Sequence, residues 1–588
     1  MDGAAEDEKA VTLDRLSMAA LGALAGFATW ALAERFDGTR FALFLIVFVI
    51  GAFAVFFALS GPARRLHAGL AAIALVLPAS GLLVWASFRY EGVEGFLGSP
   101  QAITAFIAIV TLGTPFTAAA LRRPGGWRDY AALFDLSWMI VVRYGLSWAF
   151  TGLFWLLLFL SDALLGIVGI GVIGDVIGID PVPFALTGAV LGTALAVIHQ
   201  YRSYVSPFLL LRLLRLLLPP VLAVVLIFLI ALPVRGLSGL FGGLSAAGTL
   251  MAVAVAILTL VTSVVDRDES AAARSGFMLI SARIAAALTP GLAALALIAV
   301  FLRVEQYGWT PDRVTAGLAA LVLVLYGLAY LFAVLGGRRW ARRLREANLW
   351  MALVVIGISA LWLTPVLNAE RISTESQIAR YENGTIPAED LPLYEMANDW
   401  GRAGKAGLAE LAAMEGREDA AQLTQLIEKA RSARYREEYR RDVTRADRPE
   451  RLDRLAASLP IRPEGATLGR AALDGLDEYF VDRILQACDR SLPDGRPGCV
   501  LVRDAFFPNE TDPQGILLLL EEDGSATAQY VAFDSGQPRV RALFDVEANV
   551  WPQVDREDLI RVLDGDFTVG PSSLRALTIG GKEIIPDN

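Results

Sequence analysis

Residues that bind metals or form disulfides are scarce in this chain of 588 residues. It has two cysteines, Cys488 and Cys499, and two histidines, His67 and His199. These are too few for a metal centre built from histidine and cysteine, so we expect neither a metal nor another cofactor. Lysine occurs four times against 48 arginines, which indicates a GC-rich genome and favours a bacterial source.

Charged residues are scarce in the first three fifths of the chain. Residues 1–367 carry 25 Lys/Arg and 20 Asp/Glu, whereas residues 368–588 carry 27 and 41. Apolar residues make up 55% of the whole, and the mean hydropathy is +0.51. This composition excludes a wholly soluble enzyme, a fibrous protein and a disordered chain.

Long apolar runs are abundant, and about 20 such residues can cross a bilayer as a helix. Eleven segments qualify, with ten or twelve as alternatives because the fifth is long and the seventh follows a basic stretch. They are residues 13–33, 40–60, 67–87, 101–121, 135–160, 182–200, 215–234, 245–265, 281–302, 314–335 and 348–367. The acidic start argues against a cleaved signal peptide, whose first residues are basic.

The arginines between these segments predict the topology, because cytoplasmic loops accumulate positive charge. The loops after the even-numbered segments hold sixteen arginines, and those after the odd-numbered segments hold six. We therefore expect a multi-pass protein of the bacterial inner membrane whose tail, from about residue 368, is periplasmic. We also expect the acidic residues 1–12 on the outer side.

The predicted fold is an all-α polytopic membrane domain followed by an α+β soluble domain. We divide the chain into an acidic N-terminal tail (1–12), a transmembrane domain (13–367), a helical extramembrane region (368–465) and an α+β domain (466–588). In the last domain, Asp523-Gly524 predicts a hairpin. The alternation over Val540–Val546 extends it into an antiparallel meander with one buried face.

Two glycine-rich segments lie in neighbouring outer loops. Gly169–Gly174 has the spacing of a dinucleotide-binding turn, but that turn needs a strand before it and a helix after it, and here the setting is apolar. Together with Gly236–Gly248 it could line a transport cavity, as discontinuous helices do. We favour loose loops or close helix packing through small residues. Asp175 and Asp180 beside the first segment are interpreted as outer surface.

Several arginines are interpreted as membrane anchors. Arg143 lies inside the fifth segment, and a charge there favours either a functional role or a side chain that reaches the interface beyond an interfacial helix over 129–142. We favour the second interpretation. Arg212 and Arg215 form a basic stretch that suits anionic lipids. The cluster before the last span completes the set: Arg338, Arg339, Arg342, Arg343 and Arg345.

Catalytic motifs are missing from the sequence. It contains no G-x-S-x-G, S-x-x-K, H-E-x-x-H, phosphate-binding loop or aspartate-rich phosphotransfer signature. This disfavours an enzyme without excluding one, and no catalytic residue is proposed. The acidic soluble part also disfavours nucleic-acid binding.

The two cysteines predict a disulfide. Cys488 and Cys499 both lie in the part expected in an oxidising compartment. Pro493-Asp494-Gly495 and Pro497-Gly498 between them are turn sequences that bring the two ends together.

The start of the tail resembles a known family. Pro365–Gly384 (PVLNAERISTESQIARYENG) and Asp399–Leu411 (DWGRAGKAGLAEL) carry the similarity, with Trp400-Gly401 where Tyr-Gly is more usual, and Tyr307–Pro311 (YGWTP) adds to it. The chain resembles, over most of residues 1–420, the bacterial polytopic membrane family catalogued as domain-of-unknown-function family 4153. The resemblance implies an inner-membrane location and supplies no site residues, because the family has no assigned activity.

Three functions fit these features. The first is a non-catalytic envelope component, with lipids around the membrane part and an envelope or periplasmic protein bound by the outer domain. The second is a transporter or channel using the glycine-rich outer segments. The third is a membrane sensor, which is weakened because no output domain lies on the cytoplasmic side.

Overall fold

A computed structural model of the chain describes residues 2–60, 64–122, 125–201, 208–235, 246–414, 419–507, 512–533, 539–541, 543, 554–570, 577–579 and 582–584. The chain divides into two compact units, Met1–Arg431 and Ser432–Asn588. The first therefore includes part of the predicted extramembrane region. The four-part division made from the sequence stays a prediction.

Eleven of the described helices are long and apolar enough to cross a membrane, and each coincides with one predicted segment. They are α1 (Asp2–Glu34), α2 (Arg40–Leu59), α3 (Arg65–Ser87), α5 (Pro100–Arg122), α6 (Tyr130–Ile167), α8 (Pro181–Gln200), α9 (Phe208–Arg235), α10 (Ala246–Val265), α11 (Gly276–Tyr307), α12 (Pro311–Leu335) and α13 (Trp340–Trp362). Short helices α4 (Val93–Leu97) and α7 (Val172–Ile177) lie in connecting loops. The interfacial helix expected over 129–142 is wrong, because α6 runs through Arg143 without a break.

The long helices pack in two groups. A first apolar core is built from α2, α3 and α5, with the start of α6, and a second from α9 to α12. Helix α13 contributes to both, through Leu349 and Trp362 to the first and through Trp340 and Leu344 to the second. It is therefore the shared wall between the groups.

Helices α1 and α8 pack against each other in opposite directions through glycine. A Cβ atom on Gly22 would lie 2.0 Å from the carbonyl oxygen of Gly188, and one on Gly26 would lie 2.0 Å from that of Phe184. Gly192 meets the carbonyl of Met18 in the same way. Only residues without a side chain allow two backbones to approach this closely, as small-residue contacts do between membrane helices.

The beginning of α1 lies on the arginine-rich face of the membrane domain, which we define by Arg65, Arg128, Arg267 and Arg338. Asp14 near the start of α1 pairs with Arg65, and Arg15 Nε donates to Gln200 Oε1 at the end of α8 over 2.9 Å. The expectation that the acidic N-terminus shares the outer side with the tail is wrong. An odd number of spans puts the two ends of the membrane domain on opposite faces.

Residues 369–432 continue as four helices on the face opposite to the arginine-rich one. These are α14 (Ala369–Glu382), α15 (Leu393–Asn398), α16 (Gly401–Ala412) and α17 (Ala420–Ser432). Leu408, Leu411, Leu423 and Leu426 are buried, so α16 and α17 each have an apolar face. We call residues 369–431 the platform.

The second unit is built around a five-stranded sheet in the order β1-β2-β3-β4-β5, in which β1 is parallel to β2 and the other pairs are antiparallel. The strands are β1 (Ile461–Arg462), β2 (Cys499–Arg503), β3 (Gln514–Leu520), β4 (Ala526–Ala532) and β5 (Arg539–Arg541). The helices are α18 (Arg436–Ser458), α19 (Arg470–Asp474), α20 (Glu478–Asp489) and α21 (Arg556–Asp564), and β6 (Leu577–Ile579) pairs with β7 (Lys582–Ile584). The hairpin predicted at Asp523-Gly524 is confirmed, since Gly524 has a φ of +84° between β3 and β4.

The centre of the sheet, β2 and β3, is buried on both faces, so the prediction of one buried face is wrong there. Leu517 and Leu519 pack with α18 and α20 on one side, while Leu518 and Leu520 pack with α21 on the other. A helix on each face explains why four consecutive leucines fit in β3. Of the predicted strand Val540–Val546, residues 542 and 544–546 lie outside the described residues.

Candidate functional site

Asp266 follows α10 on the arginine-rich face and lies among three arginines. It is buried and has a φ of +54°, a left-handed conformation that is uncommon outside glycine. Its carboxylate forms an ion pair with Arg215, and one carboxylate oxygen accepts a hydrogen bond from the main-chain N–H of Arg267 over 2.6 Å. Burial raises the pKa of the carboxyl, although the arginines beside it oppose this.

Arg215 and Arg345 also donate to the last carbonyl groups of α10. Arg215 Nε donates to Ser263 O over 2.7 Å, and Arg345 donates to Val265 O over 2.8 Å and to Asp266 O over 3.1 Å. A helix leaves its last carbonyls without intrahelical partners, and cations are favourable at that end. Both arginines therefore cap α10 from neighbouring helices.

A second polar cluster joins the two helix groups. Asn348 Oδ1 on α13 accepts hydrogen bonds from the hydroxyls of Tyr326 over 2.8 Å and Tyr330 over 2.7 Å. Its Nδ2 donates to the Tyr130 hydroxyl over 3.1 Å, and the Tyr330 hydroxyl is 2.9 Å from Thr262 Oγ1. The chain of bonds runs from α6 through α13 and α12 to α10. Four of these residues, Tyr130, Thr262, Tyr326 and Asn348, line a cavity of about 210 Å³.

Arg143 is almost fully buried. Its head contacts two carbonyl oxygens of the last turn of α2, with 3.4 Å to Ala58 O and 3.5 Å to Phe57 O. Its Nε has no hydrogen-bond partner among the described residues, and no carboxylate contacts it there. The side chain points to the end of α2, and its predicted position at the membrane interface stays a prediction.

The predicted anchoring arginines separate into two sets. Three point inward to protein partners, namely Arg143, Arg215 and Arg345. Five are exposed, namely Arg212, Arg338, Arg339, Arg342 and Arg343. Arg212 stacks on the ring of Phe208 at 4.0 Å from its centroid, a pairing that suits an interface. The anchoring role of the set stays a prediction.

On the opposite face, a buried ion pair fastens the platform to the membrane helices. Arg89 after α3 lies 3.5 Å from a carboxylate oxygen of Glu370 in α14, and the Tyr90 hydroxyl donates to the other oxygen over 3.0 Å. The second guanidinium nitrogen of Arg89 contacts the carbonyls of Trp362, Thr364 and Leu367. Burial lowers the pKa of Arg89 and raises that of Tyr90. We call Arg89, Tyr90 and Glu370 the outer clamp.

Helix α14 also bonds the end of α11 and the loop that follows it. Gln377 Nε2 donates to Tyr307 O over 2.9 Å and to Trp309 O over 3.1 Å. Arg380 donates to Glu305 O over 2.9 Å and to Gln306 O over 2.8 Å. Because α3 belongs to the first helix group and α11 to the second, α14 is bonded to both.

In the second unit, Cys488 at the end of α20 and Cys499 at the start of β2 form a disulfide, with sulfur atoms 2.02 Å apart. The predicted turn lies between them, where Leu492 N donates to Arg496 O over 2.8 Å and Gly495 has a φ of +83°. The pairing agrees with the prediction; the compartment inferred with it stays a prediction.

The glycine-rich segments supply no described site. Gly169 has a φ of +79°, and Gly174 N donates to Asp162 Oδ1 over 2.7 Å, but none of the glycines in Gly169–Gly174 lines a described cavity. Asp175 and Asp180 are exposed, as expected. Of Gly236–Gly248, residues 236–245 lie outside the described residues.

Within the described ranges, no group of three His, Cys, Asp or Glu side chains is arranged to hold a metal ion. No family model matches the chain, and neither a curated protein nor a solved structure matches it. The resemblance given above therefore rests on the sequence motifs alone.

Sequence reasoning missed the partners of these sites. Glu370 lies in the segment that carries the family resemblance, but the sequence does not show that it faces Arg89. Asn348 was the one detectable signal, since a polar residue inside an apolar span is unusual and often marks a functional position.

Proposed function

We propose that the chain is a non-catalytic component of the bacterial cell envelope. Its membrane helices anchor the platform on the periplasmic side, and the domain from residue 432 onward binds an envelope or periplasmic protein. The observation that supports this most is the outer clamp, because Arg89 and Glu370 form a buried ion pair between the membrane helices and the platform. Such a connection suits a protein that positions an outer domain.

Membership of domain-of-unknown-function family 4153 is part of this proposal. It would account for an inner-membrane location and for the motif in α14, whose Gln377 and Arg380 bond the end of α11. If the chain belongs to this family, we expect Gln377 and Arg380 to be conserved among its members.

Two matched variants test the proposal in cells. A chain ending at Arg431 should insert at normal levels but lose function, together with any protein that co-purifies with the full chain in mild detergent. The Arg143→Gln variant should keep its function and should still co-purify with the same protein. If the shortened chain retained function, the proposed role of the outer domain would be wrong.

A transporter is the second candidate, favoured by the cavity at the junction of the two helix groups. Its lining includes the hydroxyls of Tyr130 and Tyr326 and the amide of Asn348, which are groups that can bind a polar solute. Asn348→Leu at normal protein levels should then abolish function. An envelope component should tolerate that change.

A further inference from the structure

A large apolar cavity lies between α1, α2, α6 and α8, away from the sites described above. Its volume is about 530 Å³, within the range of about 300–1,000 Å³ typical of small-molecule sites. The glycines of the contact between α1 and α8 form one wall, and Phe53 and Trp148 belong to the others. The cavity therefore lies beside the contact between α1 and α8.

The wall offers little to a polar occupant. Its three hydroxyl groups already donate to main-chain carbonyls: Thr29 to Ala25 O over 2.8 Å, Thr187 to Pro183 O over 2.7 Å and Tyr144 to Ala54 O over 2.6 Å. None of the described lining residues is charged. Water needs two to four polar partners to remain in a cavity, so this wall favours a hydrocarbon.

The mouth of the cavity faces the bilayer if these helices cross a membrane. Ile50, Trp148 and Phe184 line it and are each about half exposed, at 44%, 54% and 46%. All three lie within apolar spans. An occupant therefore enters sideways from the hydrocarbon region, which excludes a water-soluble ligand.

We propose that this cavity holds an acyl chain of a bilayer phospholipid as a bound, structural lipid. The acyl chain would lie against the glycines of α1 and α8 and beside the rings of Phe53 and Trp148. It would fill the space that lies between these four helices beside the glycine contact.

Photolabelling of the full-length protein in nanodiscs tests the proposal. The nanodiscs contain phosphatidylcholine, a small fraction of which carries a diazirine in the middle of one acyl chain. After irradiation, peptide mass spectrometry should find labels on Phe53 and Trp148 at least about fivefold above those on lipid-facing Leu77 and Phe332. Equal labelling of all four would overturn the proposal, because it would mean ordinary surrounding lipid only.

Cavity-filling variants provide the control. Ala25→Phe and Ala54→Phe fill the cavity from opposite walls, whereas Ala20→Phe adds the same ring on an exposed position of α1. Either filling variant that remains monodisperse should lose most of the excess label, and Ala20→Phe should keep it. Unchanged labelling in a folded filling variant would contradict a bound chain.

Discussion

The buried arginines of the first unit share one task, which is to cap helices other than their own. Arg143 contacts the end of α2, Arg215 and Arg345 contact the end of α10, and Arg89 contacts the residues that follow α13. Terminal carbonyls that are buried lack water as a partner, and an arginine with five donors satisfies several at once. The contacts of these side chains therefore assign them a structural role, which is to bond the ends of neighbouring helices.

For Arg143 we predict a strong dependence on the sign of the charge. Its two contacts are long, so a neutral side chain loses little, and Arg143→Gln should change stability by about 1 kcal/mol or less. Arg143→Glu would place a negative charge against carbonyl oxygens and the negative end of α2, and should prevent normal accumulation. Thermal unfolding in detergent and membrane protein levels measure the two effects.

The exposed Arg338 supplies the matched control for Arg143. Arg338→Gln and Arg338→Glu should both give a melting temperature near that of the unmodified chain, because the side chain is in solvent. A loss with Arg143→Gln as large as that with Arg143→Glu would show that the positive charge itself is required.

We predict that substitutions of the two charged residues of the outer clamp reduce stability by different amounts. Arg89→Leu leaves Glu370 buried without its cation and removes the hydrogen bonds to the carbonyls after α13. The free energy of unfolding should therefore fall by about 3–5 kcal/mol. Glu370→Gln keeps an acceptor for Tyr90 and should be milder. Limited proteolysis at residues 363–368 and thermal unfolding measure both. Lys405→Ala, which removes an exposed pair with Glu91, should leave proteolysis unchanged.

The sequence alone predicted little at this scale, for a physical reason. The apolar run around Arg143 shows that the residue lies in a span, but helical periodicity does not say which neighbour it faces. Arg212 and Arg215 illustrate the limit, since they are three residues apart and were assigned together to one lipid-binding basic stretch. In the structure Arg212 is exposed, whereas Arg215 binds Asp266 from within the helix group.

At the scale of elements, the contact between α1 and α8 predicts that a glycine-to-alanine substitution inside the contact lowers stability. The same substitution at a glycine outside the contact should raise it. Gly22→Ala places a methyl group against the Gly188 carbonyl and should destabilise by about 1–3 kcal/mol. Gly145→Ala on α6 meets nothing within 4 Å and should stabilise by up to about 1 kcal/mol, since alanine favours helix. Thermal unfolding in detergent measures both. Equal shifts of the same sign would contradict the glycine contact.

The disulfide ties α20 to β2 and predicts a local effect. Replacing Cys488 and Cys499 by serine should destabilise the second unit by about 2–3 kcal/mol, because the bond closes a short loop in the unfolded chain. Chemical unfolding of the full chain measures this. A mass-tagged maleimide should add no label to the denatured, unreduced protein and two labels after reduction. Two labels before reduction would contradict both the bond and an oxidising compartment.

Element types were predictable from the sequence, and their partners were not. The eleven spans were found because each needs only a run of apolar residues, and the hairpin because Asp523-Gly524 is a local signal. The two-faced burial of β3 was missed although Ile516–Leu520 is a continuous apolar run, which is typical of a strand buried on both faces. The sequence does not show which helix covers the second face, because α21 lies more than 30 residues further along the chain.

At the scale of the whole molecule, hydrogen bonds and ion pairs join the two groups of long helices on both faces. On the arginine-rich face, Arg267 after α10 bonds Asp135 on α6 over 2.9 Å, and Asn348 bonds Tyr130 nearby. On the other face, α14 bonds the loops after α3 and α11. The two helix groups are thus joined at both ends, which favours a stable anchor over halves that rock against each other.

The last prediction concerns the orientation of both ends of the membrane domain. Sixteen arginines against six predict that the arginine-rich face is cytoplasmic. The pair between Asp14 and Arg65 puts the start of α1 on that face, and the pair between Arg89 and Glu370 puts the platform on the other. Alkaline phosphatase fused after Asn588 should therefore be active, and a fluorescent protein that matures only in the cytoplasm should be dark there. The same fluorescent protein before Met1, or after Gly336 in the arginine-rich loop, should be bright. Activity of the phosphatase after Gly336, with none after Asn588, would invert the topology and remove the periplasmic role proposed for the second unit.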